Sequence, residues 1–223
     1  VRIVIPFLCA CALLAPQGAS ADVMFSGTAT TVPTPGGNPS GAPNVFSIQS
    51  IGNTAGAISW TPSSPMTVSD LTNLSATYQM TNGSFGGGSP RFAVGVDDGG
   101  TTRYFSVYLG TLPNFTDTPP AGWNDTGNLL ALGDNRIDLS QFAGGTFYDN
   151  YANLQNLLGG LSITEILLVL DGGWLGDQEM LVDSFSINDL TITAPEPASL
   201  ITWLTLLGTG GIATCVRRRR EAA

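Results

Sequence analysis

The sequence contains no histidine and no lysine, and each of its 8 cations is an arginine. Ser-His-Asp and Cys-His nucleophile systems need an imidazole base, and Schiff-base chemistry needs a lysine, so these mechanisms are excluded. Histidine-ligated zinc is excluded with them. Charged residues of either sign are scarce, at 11%. Cysteine is limited to Cys9, Cys11 and Cys215, all near the chain ends. The long middle of the chain therefore folds without disulfides, as a core of this size can. Glycine (28) and proline (14) are plentiful in the 223 residues, which fits a loop-rich β protein better than a helical bundle.

The arginines are unevenly placed. Arg2 stands at one end and Arg217, Arg218, Arg219 and Arg220 at the other, with only Arg91, Arg103 and Arg136 between. At the N-terminus, Ile3 to Ala15 is nearly all apolar, and Ala19-Ser20-Ala21 places small residues where a signal peptidase reads. Residues 1–21 read as a signal peptide cut before Asp22, with Cys9 and Cys11 lost with it. At the C-terminus, Ala198 to Val216 is a run of 19 uncharged residues. A helix of that length spans about 28 Å at ~1.5 Å per residue, roughly the hydrocarbon thickness of a bilayer. The Arg217–Arg220 cluster that follows puts the chain end on the cytoplasmic side and everything before the helix outside.

Pro195-Glu196-Pro197 stands directly before that run. The order Pro-Glu-Pro, apolar helix (198–216), arginine cluster (217–220) resembles the PEP-CTERM sorting signal of exported bacterial proteins. The resemblance covers residues 195–223. It implies that Pro195, Glu196 and Pro197 are read by a membrane-embedded exosortase, with Arg217, Arg218, Arg219 and Arg220 orienting the helix. It also implies a bacterium that makes extracellular polysaccharide, and a product held briefly in the inner membrane before reaching the cell surface or the medium.

Between the two ends lie residues 22–194, one domain in length. They hold 15 of the 17 carboxylates and 3 of the 8 arginines, a formal charge of -12. That charge disfavours nucleic acid and anionic membrane surfaces as partners. Thr31 to Pro43 reads as a Pro/Gly-rich loop or linker. Short apolar-alternating runs follow: Val45 to Ile51, Ala57 to Trp60, and Leu74-Ala76-Tyr78-Met80 before the Asn82-Gly83 turn. Phe92, Val94 and Val96, then Phe105, Val107 and Leu109, flank Asp97-Asp98-Gly99-Gly100 and predict a hairpin. Gly110 to Gly127 is a long polar loop. Phe147, Tyr151, Leu154 and Leu158 have helical spacing, closed by Gly159-Gly160. Ile163 to Leu170 reads as a central strand buried on both sides. Met180 to Thr193 reads as a last strand with Leu181, Phe185 and Ile187 on one face and a bulge near Asp189.

These elements predict an all-β antiparallel sandwich with one short helix. The closing stretch Ile166 to Ile187, with Leu181-Val182-Asp183-Ser184-Phe185, resembles the last strands of carbohydrate-binding jelly rolls. Gly86 to Ile187 also resembles an uncharacterised domain of exported bacterial proteins. The expected fold is therefore jelly-roll-like.

Three kinds of site are candidates. Aromatics at strand ends and on an outer face (Trp123, Trp174, Tyr104 and Tyr108) are the stacking surface a sugar ring would use, with polysaccharide as ligand. Asp97, Asp98, Asp134, Asp138 and Asp183 lie in or beside turns, as do Asn135, Asp171 and Asp177. Their oxygens are what Ca2+ prefers, although no EF-hand spacing is present. Glu165, Glu179 and the 13 aspartates of residues 22–194 are the carboxylates from which a glycoside-hydrolysing pair without histidine would come. But Glu165 falls in an apolar strand run, Glu179 follows a turn and no glycosidase motif appears, so no catalytic residue is named. The reading is a non-catalytic, exported surface or matrix protein with polysaccharide as candidate ligand. A glycan-active hydrolase and a purely structural coat protein stay open.

Overall fold

The computed structural model describes residues 23–52, 54–171 and 176–195. Trp174, the signal-cleavage residues Ala19, Ala21 and Asp22, and Glu196, Pro197 and Arg217–Arg220 lie outside them. Among the described residues no helix is long and apolar enough to cross a membrane, and the segment 198–216 is not among them.

Twelve strands and one α-helix occur among the described residues. They are β1 (Val23–Gly27), β2 (Thr30–Pro33), β3 (Asn44–Ser50), β4 (Gly56–Trp60), β5 (Leu74–Asn82), β6 (Arg91–Asp97), β7 (Thr102–Tyr108), β8 (Asn124–Asp125), β9 (Ile137–Asp138), α1 (Tyr151–Leu158), β10 (Ile163–Leu170), β11 (Gln178–Ile187) and β12 (Leu190–Thr193). One sheet runs β1-β4-β10-β6-β7-β9 and the other β2-β3-β11-β5-β8, and every pairing is antiparallel. β5 pairs along β11 from Glu179 to Ile187, so β3 and β12 share the other edge end to end. The protein is an antiparallel β-sandwich.

Period-two patterning builds the core. Phe46 and Ile48 of β3, Ile58 and Trp60 of β4, and Leu74, Ala76 and Tyr78 of β5 face inward with Phe92, Val94 and Val96 of β6 and Phe105 and Val107 of β7. Full burial of each such side chain is worth ~1.5–3 kcal/mol, which is what drives the two sheets together. The expected β6–β7 hairpin forms with Asp97 opposite Thr102 and Arg91 opposite Tyr108. Gly99 (φ 67°) and Gly100 (φ 87°) supply the left-handed backbone of its turn.

The structure corrects four expectations. The supposed linker 31–43 opens as strand β2, whose β-branched Thr30, Thr31 and Val32 pair with β3. Pro33 closes this edge strand where no donor is needed. The helix starts at Tyr151 rather than Phe147. The Asn150 side chain caps it by accepting from Asn153 N at 3.0 Å, while Asp149 exchanges two backbone hydrogen bonds with Ile137 and keeps 147–149 out of the helix. Strand β10 is central but buried on one side only: Ile166, Leu168 and Leu170 enter the core, while Leu167 and Val169 stay half-exposed. Finally, Met180 to Thr193 is two strands. Asn188 (φ 53°) and Asp189 make a tight turn, and β12 folds back on β11. The phase change lies earlier, at Asp183. The β5 register shifts between Val182 and Ser184, so Met180 and Val182 share the core with Phe185 and Ile187, and Leu181 does not.

Candidate functional site

Residues of the first sheet that alternate with the core residues form its outer face. Strand register sets them in three rows: Glu165, Gly95 and Tyr104; then Leu167, Ala93, Ser106 and Asp138; then Val169, Arg91 and Tyr108. Rows lie ~7 Å apart, and strands ~4.8 Å apart. The middle row is small or apolar up to Asp138. Larger polar side chains stand on either side, so the face is a shallow trough with polar borders.

Each border is built from hydrogen-bonded pairs. The Tyr104 hydroxyl donates to Glu165 Oε1. That bond, with partial burial and the nearby carboxylate charge, pushes the Tyr104 phenol up to about 12. Gly95 makes the arrangement possible: an added Cβ would meet Tyr104 Cε1 at 3.0 Å and Thr164 Oγ1 at 2.8 Å. The ring packs closely over this glycine, in space that a Cβ would contest. On the other border, the Tyr108 hydroxyl donates to Asp138 Oδ2 at 3.2 Å, and burial pushes this phenol up to about 12 as well. Arg91 forks onto Asp171 with both contacts at 2.7 Å. Burial works against the Arg91 charge, but the carboxylate outweighs it and raises its pKa.

An aromatic cluster closes the Tyr108 end. Phe115 stacks on Tyr108 with centroids 3.8 Å apart. Phe147 and Tyr148 each tilt against Phe115 at 5.5 Å and meet one another edge to face at 4.9 Å. Phe147 and Tyr148 remain 43% and 41% exposed. Phe115 gets there through two successive left-handed residues, Asn114 (φ 65°) and Phe115 itself (φ 53°). A bulky residue holds that backbone only where its surroundings impose it. Here they are the Tyr108 ring and Gly110, whose Cα leaves room for the Phe115 carbonyl.

Of the aromatics singled out in the sequence, Tyr104 and Tyr108 lie on this face, four residues apart on β7. Tyr108 is only 5% exposed, so the open ring surface belongs to Tyr104, Phe147 and Tyr148. Trp123 is half-buried beside β8 of the second sheet, where its Nε1 donates to the Gly36 carbonyl at 3.4 Å. Trp60 is a core residue. Sequence reading missed the aromatic wall because Phe147 fell on the helical spacing. The adjacent Phe147-Tyr148 pair was the available signal, since two consecutive large aromatics cannot both face one core.

The five aspartates suggested for calcium do not converge, although Asp97 and Asp98 are neighbours in the β6–β7 turn. Asp97 accepts Gly100 N at 2.6 Å, and Asp98 pairs with Arg103 at 3.4 Å. Asp134 is taken up by Arg136, and Asp138 by Tyr108 and Ser140 N. Asp183, 1% exposed, sits on the second sheet, holding Asn38 and Ser40. Protein donors engage each of them, and no group of three metal-ligating side chains occurs among the described residues. This donor set does not fit one shared calcium. Glu165 and Glu179 do not face each other either. Glu165 lies on the outer side of the first sheet, and Glu179 bonds Gln49 Nε2 at 2.8 Å on the outer side of the second. A hydrolytic pair needs its carboxyls ~5–10 Å apart across one cleft.

No protein-family model matches the chain, and no curated protein matches it. Solved structures similar to it include TmCBM61 in complex with β-1,4-galactotriose, at 14% identity over 78% of this chain and 89% of that one, with a TM-score of 0.33. An exo-β-agarase is similar at 15% identity over 78% of this chain, with a TM-score of 0.36. PfGH50B is similar at 17% identity over 79%, with a TM-score of 0.37. The chain spans 23% of the length of each of the last two. Each likeness is loose.

Proposed function

We propose that this is an exported, non-catalytic surface or extracellular-matrix protein whose sandwich binds polysaccharide through the outer face of its first sheet. The observation that carries the binding reading is the trough itself. Hydrogen-bonding side chains on Tyr104, Glu165, Asp138 and Arg91 border a floor of the small or apolar Leu167, Ala93 and Ser106, and exposed Phe147 and Tyr148 stand at one end. Sugars are held by such a combination, with ring faces on aromatics and hydroxyls on fixed polar groups. Tyr104 and Tyr108 lie ~13 Å apart along the strand, room for a short oligosaccharide. The jelly-roll character of the sandwich belongs to the same reading. Its support is the repeated crossing of the chain between sheets from β3 to β4, β4 to β5, β5 to β6 and β10 to β11.

Export, exosortase sorting and a transient membrane helix rest on the sequence of residues 1–21 and 195–223. Signal peptidase and exosortase are the processing partners in this reading. The last strand among the described residues ends at Thr193, two positions before Pro195.

Retention of the purified protein on immobilised polysaccharides tests the binding reading. Tyr104→Ala and Phe147→Ala are each expected to cut retention about tenfold or more, as loss of a central aromatic does. Trp123→Ala, on the other sheet, is expected to leave it unchanged. Equal retention of all three variants would remove the face from the proposal.

A further inference from the structure

The charges around the trough restrict what it can take. This step rests on the polysaccharide-binding reading above. All three arginines among the described residues are already paired: Arg91 with Asp171 at 2.7 Å, Arg103 with Asp98 at 3.4 Å, and Arg136 with Asp134 at 2.5 Å. The chain has no lysine or histidine. On the face itself Glu165, Asp138 and Asp171 bring three carboxylates against the single charge of Arg91, which Asp171 already grips through both nitrogens. An anionic group entering here would meet no free cation among the described residues. It would have either to break the Arg91–Asp171 fork or to lie beside uncompensated carboxylates, and a charge mismatch of this kind works as rejection.

What the face does offer is acceptors. Glu165 and Asp138 each take one tyrosine hydroxyl and keep further lone pairs, since a carboxylate has about four acceptor positions. The hydroxyls of a neutral sugar are the complementary donors. We propose that the outer face of the first sheet is selective for uncharged glycans and turns away chains bearing uronate, sulfate or phosphate groups. A cationic glycan would be drawn by these carboxylates and by the net charge of the whole domain, an attraction that fades with salt, whereas a neutral glycan is held through its hydroxyls.

The test compares neutral polysaccharides (a β-glucan, a mannan and a galactan) with the carboxymethylated form of each, so that backbone and linkage stay fixed while charge changes. Retention of the full chain is measured at low and high salt. The expected result is retention on at least one neutral polysaccharide that salt hardly changes, with the carboxymethylated partner held about tenfold less well at low salt. High salt should narrow that gap. The double variant Glu165→Gln with Asp138→Asn is expected to narrow it at low salt too. Equal or better retention on the carboxymethylated form would overturn the charge selectivity and leave polysaccharide binding standing. So would a low-salt gap that the double variant does not change. Retention on none of the six materials would overturn both.

Discussion

Asp183 accepts the backbone N–H of Ser40 at 2.9 Å across 143 positions of sequence. Its other oxygen takes the Asn38 amide at 2.7 Å and the Ser40 hydroxyl. One carboxylate, buried at the bulge of β11, thus fastens the 34–43 loop over the second sheet. Asp183→Ala would take this acceptor from the Ser40 N–H and hydroxyl, while the Asn38 amide keeps Ser40 Oγ and Ala42 O, and such a loss costs about 1–3 kcal/mol. A lower urea midpoint is expected, together with faster cleavage inside 34–43 by a protease of broad specificity. Asp189→Ala, at an exposed turn, serves as the control and should change neither. An unaltered midpoint for Asp183→Ala would show that the loop is held by something else.

Gly95→Ala probes the other sheet. The added methyl would meet Thr164 Oγ1 at 2.8 Å, Tyr104 Cε1 at 3.0 Å and Thr102 Cγ2 at 3.1 Å. All three belong to side chains, so the sandwich can adjust at a cost of about 1–3 kcal/mol. The Tyr104 ring has to lift from the sheet to do so. The expected outcome is a folded protein with a modestly lower melting temperature and polysaccharide retention reduced as far as in Tyr104→Ala. Full retention would mean that the ring's position on the sheet is irrelevant to binding.

Much of the fold was legible because its strands alternate. The β6–β7 hairpin follows directly from Phe92-Val94-Val96, two glycines and Phe105-Val107. The sequence did not reveal which side of a strand other segments cover. Nothing in Tyr108 tells that Phe115 will fold under it, because that contact depends on the left-handed turn at Asn114 and Phe115. The bulge at Asp183 was equally hidden. Period-two reading put Leu181 in register with Phe185, and only the pairing with β5 shows the shift. For the candidate site, β7 showed its tyrosines, but Glu165 and Arg91 join them only through the register of β10, β6 and β7.

Three tyrosines make an alkaline prediction. Burial, with the Asp117 charge, pushes Tyr78 up to about 12, where Tyr104 and Tyr108 also stand. In the unfolded chain a phenol ionises near ~10. Between these values the folded state keeps protons that the unfolded state loses, so the tyrosines' contribution is intact below about pH 10 and disappears as pH rises through about 12. Stability measured in urea should therefore fall over that interval. Glu165→Gln removes the main cause of the Tyr104 shift. Its tyrosinate absorbance should then rise at lower pH by one residue's worth, with Tyr78 and Tyr108 unchanged. An identical titration curve for the variant would contradict the Tyr104–Glu165 bond.

Asp149 makes the acid counterpart. Burial alone would raise its pKa, but four hydrogen bonds win and hold it below the ordinary carboxylate value. They come from Asn153 Nδ2 at 2.8 Å, Asn150 N at 3.0 Å, Thr146 N at 3.1 Å and Thr146 Oγ1 at 3.3 Å. A depressed folded-state pKa means that the contribution is complete above the unfolded value of ~3.9 and is lost as pH falls through the folded one. Asp149→Asn should be less stable than the native protein by about 1–3 kcal/mol near neutrality, and the gap should close below about pH 4. Urea unfolding at a series of pH values checks this, and a gap independent of pH would refute it. The same carboxylate fixes Thr146, directly before Phe147 and Tyr148, through two of these bonds. The variant should therefore also lose polysaccharide retention at neutral pH, linking the start of the helix to the aromatic wall of the trough.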